Sequence, residues 1–170
     1  MKKIGVLLGK LYEESEYSEP AKAFKEAGYE LVHIGKEKGE EVFDKNRENP
    51  VKIDAVAKDV SPDDFMGLLI PGGFSPDVLR SDDSIVDFVR NYFTLDKPLF
   101  TICHGPQLLV TAEVLRGRTL TCYKSIIVDV KNAGANYVDR EVVVDRNLVT
   151  SRTPKDLPVF IKASLKKLNE

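Results

Sequence analysis

Hydrophobic residues along this chain fall into short runs that are separated by longer, mostly polar segments. The short runs predict buried strands at residues 3–8, 29–34, 66–70 and 98–102. The segment from Ser81 to Phe93 begins with a capping signal and then places its apolar residues on one helical face. Because strands and helices alternate, the pattern predicts an α/β fold with a mostly parallel sheet and helices on both of its faces.

The remaining pattern predicts further elements and one surface segment. Residues 35–50 are highly charged and have no apolar period, which indicates a surface excursion. The other predicted elements are helices at residues 16–27, 107–115 and 156–168, a helix start at 61–64, and strands at 51–55, 118–122, 141–145 and 148–151.

The length of the chain indicates one domain, and its charge and hydropathy argue against nucleic-acid and membrane partners. The 170 residues suffice for one well-filled core and contain no linker, so we predict a single domain spanning residues 1–170. A formal net charge of −2 provides no basic surface for nucleic acid or for an anionic membrane. No segment approaches the roughly 18 consecutive apolar residues that cross a bilayer. We therefore expect neither a nucleic-acid partner nor membrane attachment.

The cysteine content and the glycine patterns limit the expected cofactors. The two cysteines, Cys103 and Cys122, have a spacing that fits neither a disulfide framework nor a zinc site. The sequence contains no glycine-rich motif for a nucleotide or a flavin. We expect no metal and no cofactor. Since a free reactive thiol persists best in a reducing compartment, we also expect a cytoplasmic location.

The strongest chemical signal lies around Cys103. The apolar strand at residues 98–102 leads directly into Cys103, and Gly105 and Pro106 open a helical segment after it. A cysteine on such a strand-to-helix turn projects its sulfur above the sheet, as in a nucleophile elbow. The adjoining helix N-terminus favours the thiolate, so the sequence predicts a lowered pKa for Cys103. Cys122 lacks this context, and we expect it to be structural.

Two further segments are predicted to lie beside this elbow. Gly72-Gly73 ends one predicted strand, and the stretch after Leu8 ends another. Parallel strands have their carboxyl ends at one edge of a sheet, where ligands of such folds bind. The sequence therefore predicts one site that combines Cys103, the two glycines and the residues after Leu8.

These segments together resemble the PfpI family, the intracellular protease/amidase-like branch of the DJ/PfpI superfamily. The resemblance spans essentially the whole chain. It rests on residues 12–16 (YEESE), 70–73 (IPGG), 102–107 (ICHGPQ), 132–134 (NAG) and 143–152 (VVDRNLVTSR). The resemblance implies a flavodoxin-like, doubly wound fold and an assembly of two or more copies of the chain.

The resemblance also implies a role for each matching residue. Cys103 matches the family nucleophile and His104 the histidine beside it, while Glu13 matches the acid that contacts the sulfur. Gly73 and the backbone N–H of His104 match the oxyanion hole. Asp77 matches the acid, often Glu in the family, that reaches the histidine from a neighbouring subunit in protease-like members.

The carboxyl group of Glu13 needs its own physical explanation. An ionised carboxylate opposes a thiolate next to it, so a close contact requires that one partner holds a proton. We predict a desolvated, protonated Glu13 that acts as general acid and base. The neighbouring Glu14, Glu16 and Glu19 fit solvated carboxylates of the first helical turn better.

The other polar candidates are expected to be structural. His33 and His104 are the only histidines, so no downstream histidine is present for the triad of class I glutamine amidotransferases. His33 is expected to be a packed or rim residue. Arg152 fits a loop salt bridge better than an anion contact in the pocket.

Three hypotheses about function follow. The first is a cysteine-dependent hydrolase of peptide or amide bonds, which uses Cys103, His104 and Asp77 and requires a homo-oligomer. The second is a glyoxalase- or deglycase-type enzyme for small reactive carbonyl compounds, which needs only Cys103 and Glu13. The third is a stress protein without catalysis, in which Cys103 is oxidised reversibly or to sulfinate. His104 and Asp77 together favour the hydrolase.

Overall fold

A seven-stranded sheet forms the centre of the computed structural model, which describes residues 1–170. In chain order the strands are β1 (Lys3–Leu7), β2 (Glu30–Gly35), β3 (Glu41–Val42), β4 (Val51–Lys52), β5 (Ala55–Val56), β6 (Gly67–Ile70), β7 (Leu99–Ile102), β8 (Thr119–Leu120), β9 (Asn136–Tyr137), β10 (Val143–Asp145) and β11 (Leu148–Ser151). The helices are α1 (Glu14–Glu26), α2 (Ser75–Leu79), α3 (Asp83–Phe93), α4 (Pro106–Thr111), α5 (Ile127–Asn132) and α6 (Leu157–Leu168).

The strand order across the sheet is β10-β11-β7-β6-β1-β2-β5, and only β10 pairs antiparallel with its neighbour. Every residue of β6, β7 and β11 is buried, and in β6 and β7 this burial explains the apolar runs of the sequence. The predicted α/β fold with a mostly parallel sheet is confirmed.

Helices cover both faces of the sheet and bury two apolar cores. Successive residues of a strand point to opposite faces, so Leu68 belongs to one core and Leu69 to the other. The first core includes Val89 of α3, and the second includes Phe24 of α1. None of the six helices combines the length and apolar character needed to cross a membrane.

Two predicted strands need correction, and one helix was not predicted. The strand predicted at residues 51–55 is two short strands, because β4 pairs with β3 outside the central sheet while β5 pairs with β2. The strand predicted at 118–122 shortens to β8, which pairs only with β9. Helix α5 was not predicted. Residues 35–50 contain β3 and a loop after it. This loop packs against the rest of the protein and carries Lys45, a residue of the site described below.

Strands β7, β6 and β1 are adjacent in the sheet, and all three run parallel. Their carboxyl ends therefore bring together the turn at Cys103, the glycines after Ile70 and the segment after Leu7, as predicted.

Candidate active site

Cys103 occupies a sharp turn between β7 and α4. Its backbone adopts φ 61°, the left-handed region that residues other than glycine rarely enter, and its N–H donates to the carbonyl of Ser151 at 3.0 Å. The side chain is nearly buried, with 8% of the residue exposed. The predicted nucleophile elbow is present, and a non-glycine residue held in this backbone region is typical of a functional turn.

Glu16 is the carboxyl group in contact with the Cys103 sulfur. It is fully buried, and its Oε1 accepts the backbone N–H of Gly72 at 2.9 Å. Its side chain also faces Cys103, and the interaction between the two groups shifts the pKa of each. The other oxygen, Oε2, has no partner in the protein. The carboxyl group is thus held rigidly, and one oxygen remains available for a proton or a substrate.

The predicted contact between Glu13 and the sulfur is therefore wrong. Helix α1 begins at Glu14, and Glu13 is its extended N-cap residue. The Glu13 carboxylate turns away to Lys45, with 3.0 Å between Oε2 and Nζ, and stays partly exposed. Glu16 lies in the first turn of the helix and is buried, whereas a solvated position was expected for it.

Burial changes the ionisation of Glu16 and Cys103. Desolvation, and then the charge of Glu13, raise the pKa of Glu16 to about 8, although the N–H of Gly72 and the contact with Cys103 oppose this. Burial and then the charge of Glu16 raise the pKa of the Cys103 thiol. The lowered thiol pKa predicted from the helix N-terminus is thus contradicted. Both shifts favour the uncharged forms, so Glu16 and the Cys103 thiol are both protonated in the resting site at neutral pH.

His104 contacts the sulfur from the other side. Its Nδ1 lies 3.3 Å from the Cys103 Sγ, its Nε2 lies 3.0 Å from the Ser125 hydroxyl, and its ring packs on Tyr123. Burial, and then the positive charge of Lys45, lower the pKa of His104, so the imidazole is neutral at neutral pH.

Asp77 is exposed at the start of α2 and forms no ion pair or hydrogen bond with His104. Its side chain nevertheless lines the same cavity as Cys103. Within one chain, Nε2 of His104 is hydrogen-bonded to the Ser125 hydroxyl and not to an acid. The role of Asp77 remains a prediction that depends on a second copy of the chain.

Two backbone N–H groups are positioned for an oxyanion hole. Gly73 has φ 77°, and its N–H donates to no protein acceptor, whereas the N–H of Gly72 is occupied by Glu16. The N–H of His104 also donates to no protein acceptor, and it lowers the pKa of the adjacent Cys103 thiol. A side chain at Gly73 would lie 2.5 Å from the backbone nitrogen of Glu13, so only glycine fits there.

These residues surround one cavity with a volume of about 440 Å³. Its lining residues are Glu13, Glu16, Lys45, Gly73, Phe74, Asp77, Cys103, His104, Gln107, Tyr123 and Pro154. All of the predicted site residues thus share one cavity. No group of three or more His, Cys, Asp and Glu side chains is arranged to hold a metal ion.

Three residues of the site were missed from the sequence: Glu16, Lys45 and Ser125. A signal for Glu16 exists, because Glu16, Pro20 and Phe24 repeat every four residues on the buried face of α1. Lys45 and Ser125 belong to segments without apolar periodicity, and nothing in the local sequence distinguishes them.

The remaining polar residues have structural partners. His33 hydrogen-bonds Tyr17 and Asp54, Arg152 pairs with Asp139 and Asp156, and Cys122 is buried. The structural interpretations of His33, Arg152 and Cys122 agree with these contacts.

Comparison with known proteins identifies close relatives of this chain. The DJ-1/PfpI family matches residues 2–167. General stress protein 18 of Bacillus subtilis is 58% identical over 165 residues, which is 96% of each chain. Protein/nucleic acid deglycase 2 of Escherichia coli is 52% identical over 168 residues, 98% of each chain. A solved structure from Anabaena variabilis, a two-domain protein with DJ-1/ThiJ/PfpI-like and ferritin-like domains, superposes with a TM-score of 0.97 at 36% identity, covering 99% of this chain and 48% of that one.

Proposed function

Because this chain belongs to the DJ-1/PfpI family, we propose that it is a cysteine-dependent enzyme that acts on small reactive carbonyl compounds. The observation that carries the proposal is the buried contact between Glu16 and Cys103. It gives a single chain both a nucleophile and a proton donor. The relatives named deglycase and general stress protein support the same reading.

The first chemical step is addition of the Cys103 thiolate to an aldehyde carbon. The thiolate forms when the thiol of Cys103 loses its proton to solvent while Glu16 keeps its own, and the N–H of His104 favours this negative sulfur. As the carbon–sulfur bond forms, the carbonyl π electrons move to oxygen, where the N–H groups of Gly73 and His104 stabilise the charge. Glu16 then delivers its proton to that oxygen, and the product is a neutral hemithioacetal.

With a 2-oxoaldehyde, the same groups complete an internal redox step. The Glu16 carboxylate removes the proton from the carbon that bears sulfur and returns it to the neighbouring carbonyl carbon, while the hydroxyl proton of the hemithioacetal passes to the oxygen of that carbonyl. This converts the hemithioacetal into a thioester of a 2-hydroxy acid. Water then cleaves the carbon–sulfur bond, which releases the acid and regenerates the thiol of Cys103. No external oxidant or reductant is required.

Peptide or amide hydrolysis is the second candidate. The observation that favours it is the 3.3 Å contact between Nδ1 of His104 and Sγ of Cys103, since a leaving amine needs a proton donor on that side. It ranks second because no acid supports His104 within the chain.

The test measures wild type, Cys103→Ser and Glu16→Gln on methylglyoxal and on a peptide substrate. We expect turnover of methylglyoxal by the wild type alone, with losses of about 100-fold or more in both variants. Peptide turnover that depends on Cys103 and not on Glu16, without activity on methylglyoxal, would establish the hydrolase instead.

A further inference from the structure

The loop that follows β3 is built to hold one lysine over the cavity. Asp44 is buried, and its carboxylate accepts the backbone N–H groups of Asn46 and Glu48 and the side-chain amide of Asn49. Lys45, the next residue, donates its own N–H to the carbonyl of Tyr12 at 2.9 Å. The backbone of Lys45 is thereby fixed directly beside the start of α1.

The side chain of Lys45 reaches into the cavity and pairs with Glu13. Its Nζ lies 3.0 Å from Oε2 of Glu13, and the two side chains are 46% and 27% exposed. Both residues line the cavity together with Cys103. The pair therefore belongs to the wall of the site and places a cation and an anion within electrostatic range of the sulfur.

The charges that face the sulfur come from several elements. They are Glu13 and Glu16 from the start of α1, Lys45 from the loop, Asp77 from α2 and His104 from the elbow, with the phenol of Tyr123 nearby. With Glu16 protonated and His104 neutral, the remaining acidic side chains of the cavity are those of Glu13 and Asp77. Lys45 is then the only cation that offsets them.

We infer that Lys45 is a positioning residue that neutralises Glu13 and so allows the cavity to hold a negatively charged Cys103 sulfur. The inference rests on the proposed function, because it concerns the thiolate that attacks the carbonyl. The directions of the pKa shifts agree: Glu13 raises the pKa values of Glu16 and Cys103, whereas Lys45 lowers that of Glu16. Pairing with Glu13 in turn raises the pKa of Lys45 and keeps it charged.

The experiment follows alkylation of Cys103 by iodoacetamide, with peptide mapping, from pH 5 to pH 10. This reagent is uncharged, so Lys45 cannot attract it directly, and no substrate is needed. Lys45→Met and Lys45→Gln should shift the rate profile upwards by about half to one pH unit, a three- to tenfold slower reaction below the midpoint. Glu13→Gln should shift it downwards by a similar amount.

Three further variants identify the cause of the shift. Lys45→Met combined with Glu13→Gln should return close to the wild-type profile, and Lys45→Arg should match the wild type because it keeps the charge. Lys52→Met removes a lysine from β4, which follows the loop, at an exposed position without an ion pair, and should change nothing. Equal melting temperatures would exclude unfolding as the source.

Two results would overturn the inference. One is a Lys45→Met profile identical to that of Lys52→Met. The other is a double variant that shows the full Lys45→Met shift, because Lys45 would then act independently of Glu13. A wild type that is inactive on methylglyoxal but shows the expected shifts would overturn the carbonyl proposal alone.

Discussion

The protonation states of the Cys103 sulfur and the Glu16 carboxyl together decide whether the site is reactive, because the sulfur must lose its proton while the carboxyl keeps its own. Burial disfavours a charge on either group, yet the N–H of His104 stabilises a negative sulfur and that of Gly72 a negative carboxylate. A neutral amide at position 16 would keep the shape of the side chain but could not deliver a proton.

We therefore expect Glu16→Gln to retain the fold and to lose about 100-fold in kcat or more on methylglyoxal, because general acid–base catalysis contributes at least this factor. Steady-state kinetics checks the loss, and near-UV circular dichroism checks the fold. Glu19→Gln is the matched control, since Glu19 is an exposed carboxylate on the same helix. Equal rates for the wild type and Glu16→Gln would refute the acid–base role.

Glu16 should also make the stability of the protein depend on pH. Its pKa rises from the ordinary 4.5 to about 8 in the folded state, so the folded protein binds the proton more tightly than the unfolded chain does. This contribution to stability is complete below pH 4.5 and is lost as the pH rises towards 8, with a slope of at most about 1.4 kcal/mol per pH unit.

Urea unfolding at pH 5, 6.5 and 8 measures that slope. In Glu16→Gln the free energy of unfolding should decrease less between pH 5 and pH 8 than in the wild type, whereas Glu19→Gln should show the wild-type decrease. An identical slope in Glu16→Gln would mean that Glu16 is ionised in the folded protein at neutral pH, contrary to the expected direction.

At the scale of secondary-structure elements, the turn at Cys103 depends on the close approach of the Gly105 backbone to β6 and β7. Gly105 lies directly after the turn, at an ordinary helical φ of −51°. A methyl group there would lie 1.8 Å from the Thr101 hydroxyl and 2.7 Å from the carbonyl of Ile70. The Thr101 hydroxyl donates to that carbonyl, so β6, β7 and the start of α4 are joined at this point.

Gly105→Ala should therefore destabilise the protein by about 3 kcal/mol through overpacking, and it should also slow alkylation of Cys103 as the elbow shifts. Gly39→Ala is the comparison, because Gly39 has open space around it and a φ of 85°. Gly39→Ala should lower the free energy of unfolding by only about 1 kcal/mol, the penalty for a residue other than glycine in the left-handed region. Urea denaturation measures both, and a Gly105→Ala variant as stable as Gly39→Ala would contradict the crowding argument.

At the scale of the whole molecule, the exposed Asp77 raises the question of a second copy. Asp77 lines the cavity but does not contact His104 within the chain, and Phe74 beside it is 61% exposed. We predict a homo-oligomer in which Asp77 of one copy supports His104 of another. Mixed assemblies of Cys103→Ala and Asp77→Ala subunits should then recover part of the peptide-hydrolysing activity that each variant lacks.

Sedimentation velocity on the wild type checks the assembly, and subunit exchange is verified with differently tagged variants. Exchange without recovery would show that Asp77 does not act across a subunit boundary. Activity on methylglyoxal should survive Asp77→Ala, since the proposed carbonyl chemistry uses Cys103 and Glu16 of one chain.

The sequence by itself determined the sheet, the elbow and the shared edge where the site lies. Buried parallel strands are continuous apolar runs, and the strand–Cys103–Gly105–Pro106 order is a local signal, so both are visible without the fold. The short pairs β3–β4 and β8–β9 were not predictable, because two-residue strands gain their stability from partners far along the chain.

Only the tertiary structure decided which acid meets the sulfur. Glu13 and Glu16 are both acidic residues near the start of α1, and their positions in the sequence do not indicate which side chain is buried. The burial of Glu16 depends on its contact with Gly72, which lies at the end of a strand far along the chain. The exposure of Glu13 depends on a loop that places Lys45 against it. The ionisation of Cys103 follows from those contacts, so its direction could not be obtained from the helix N-terminus alone.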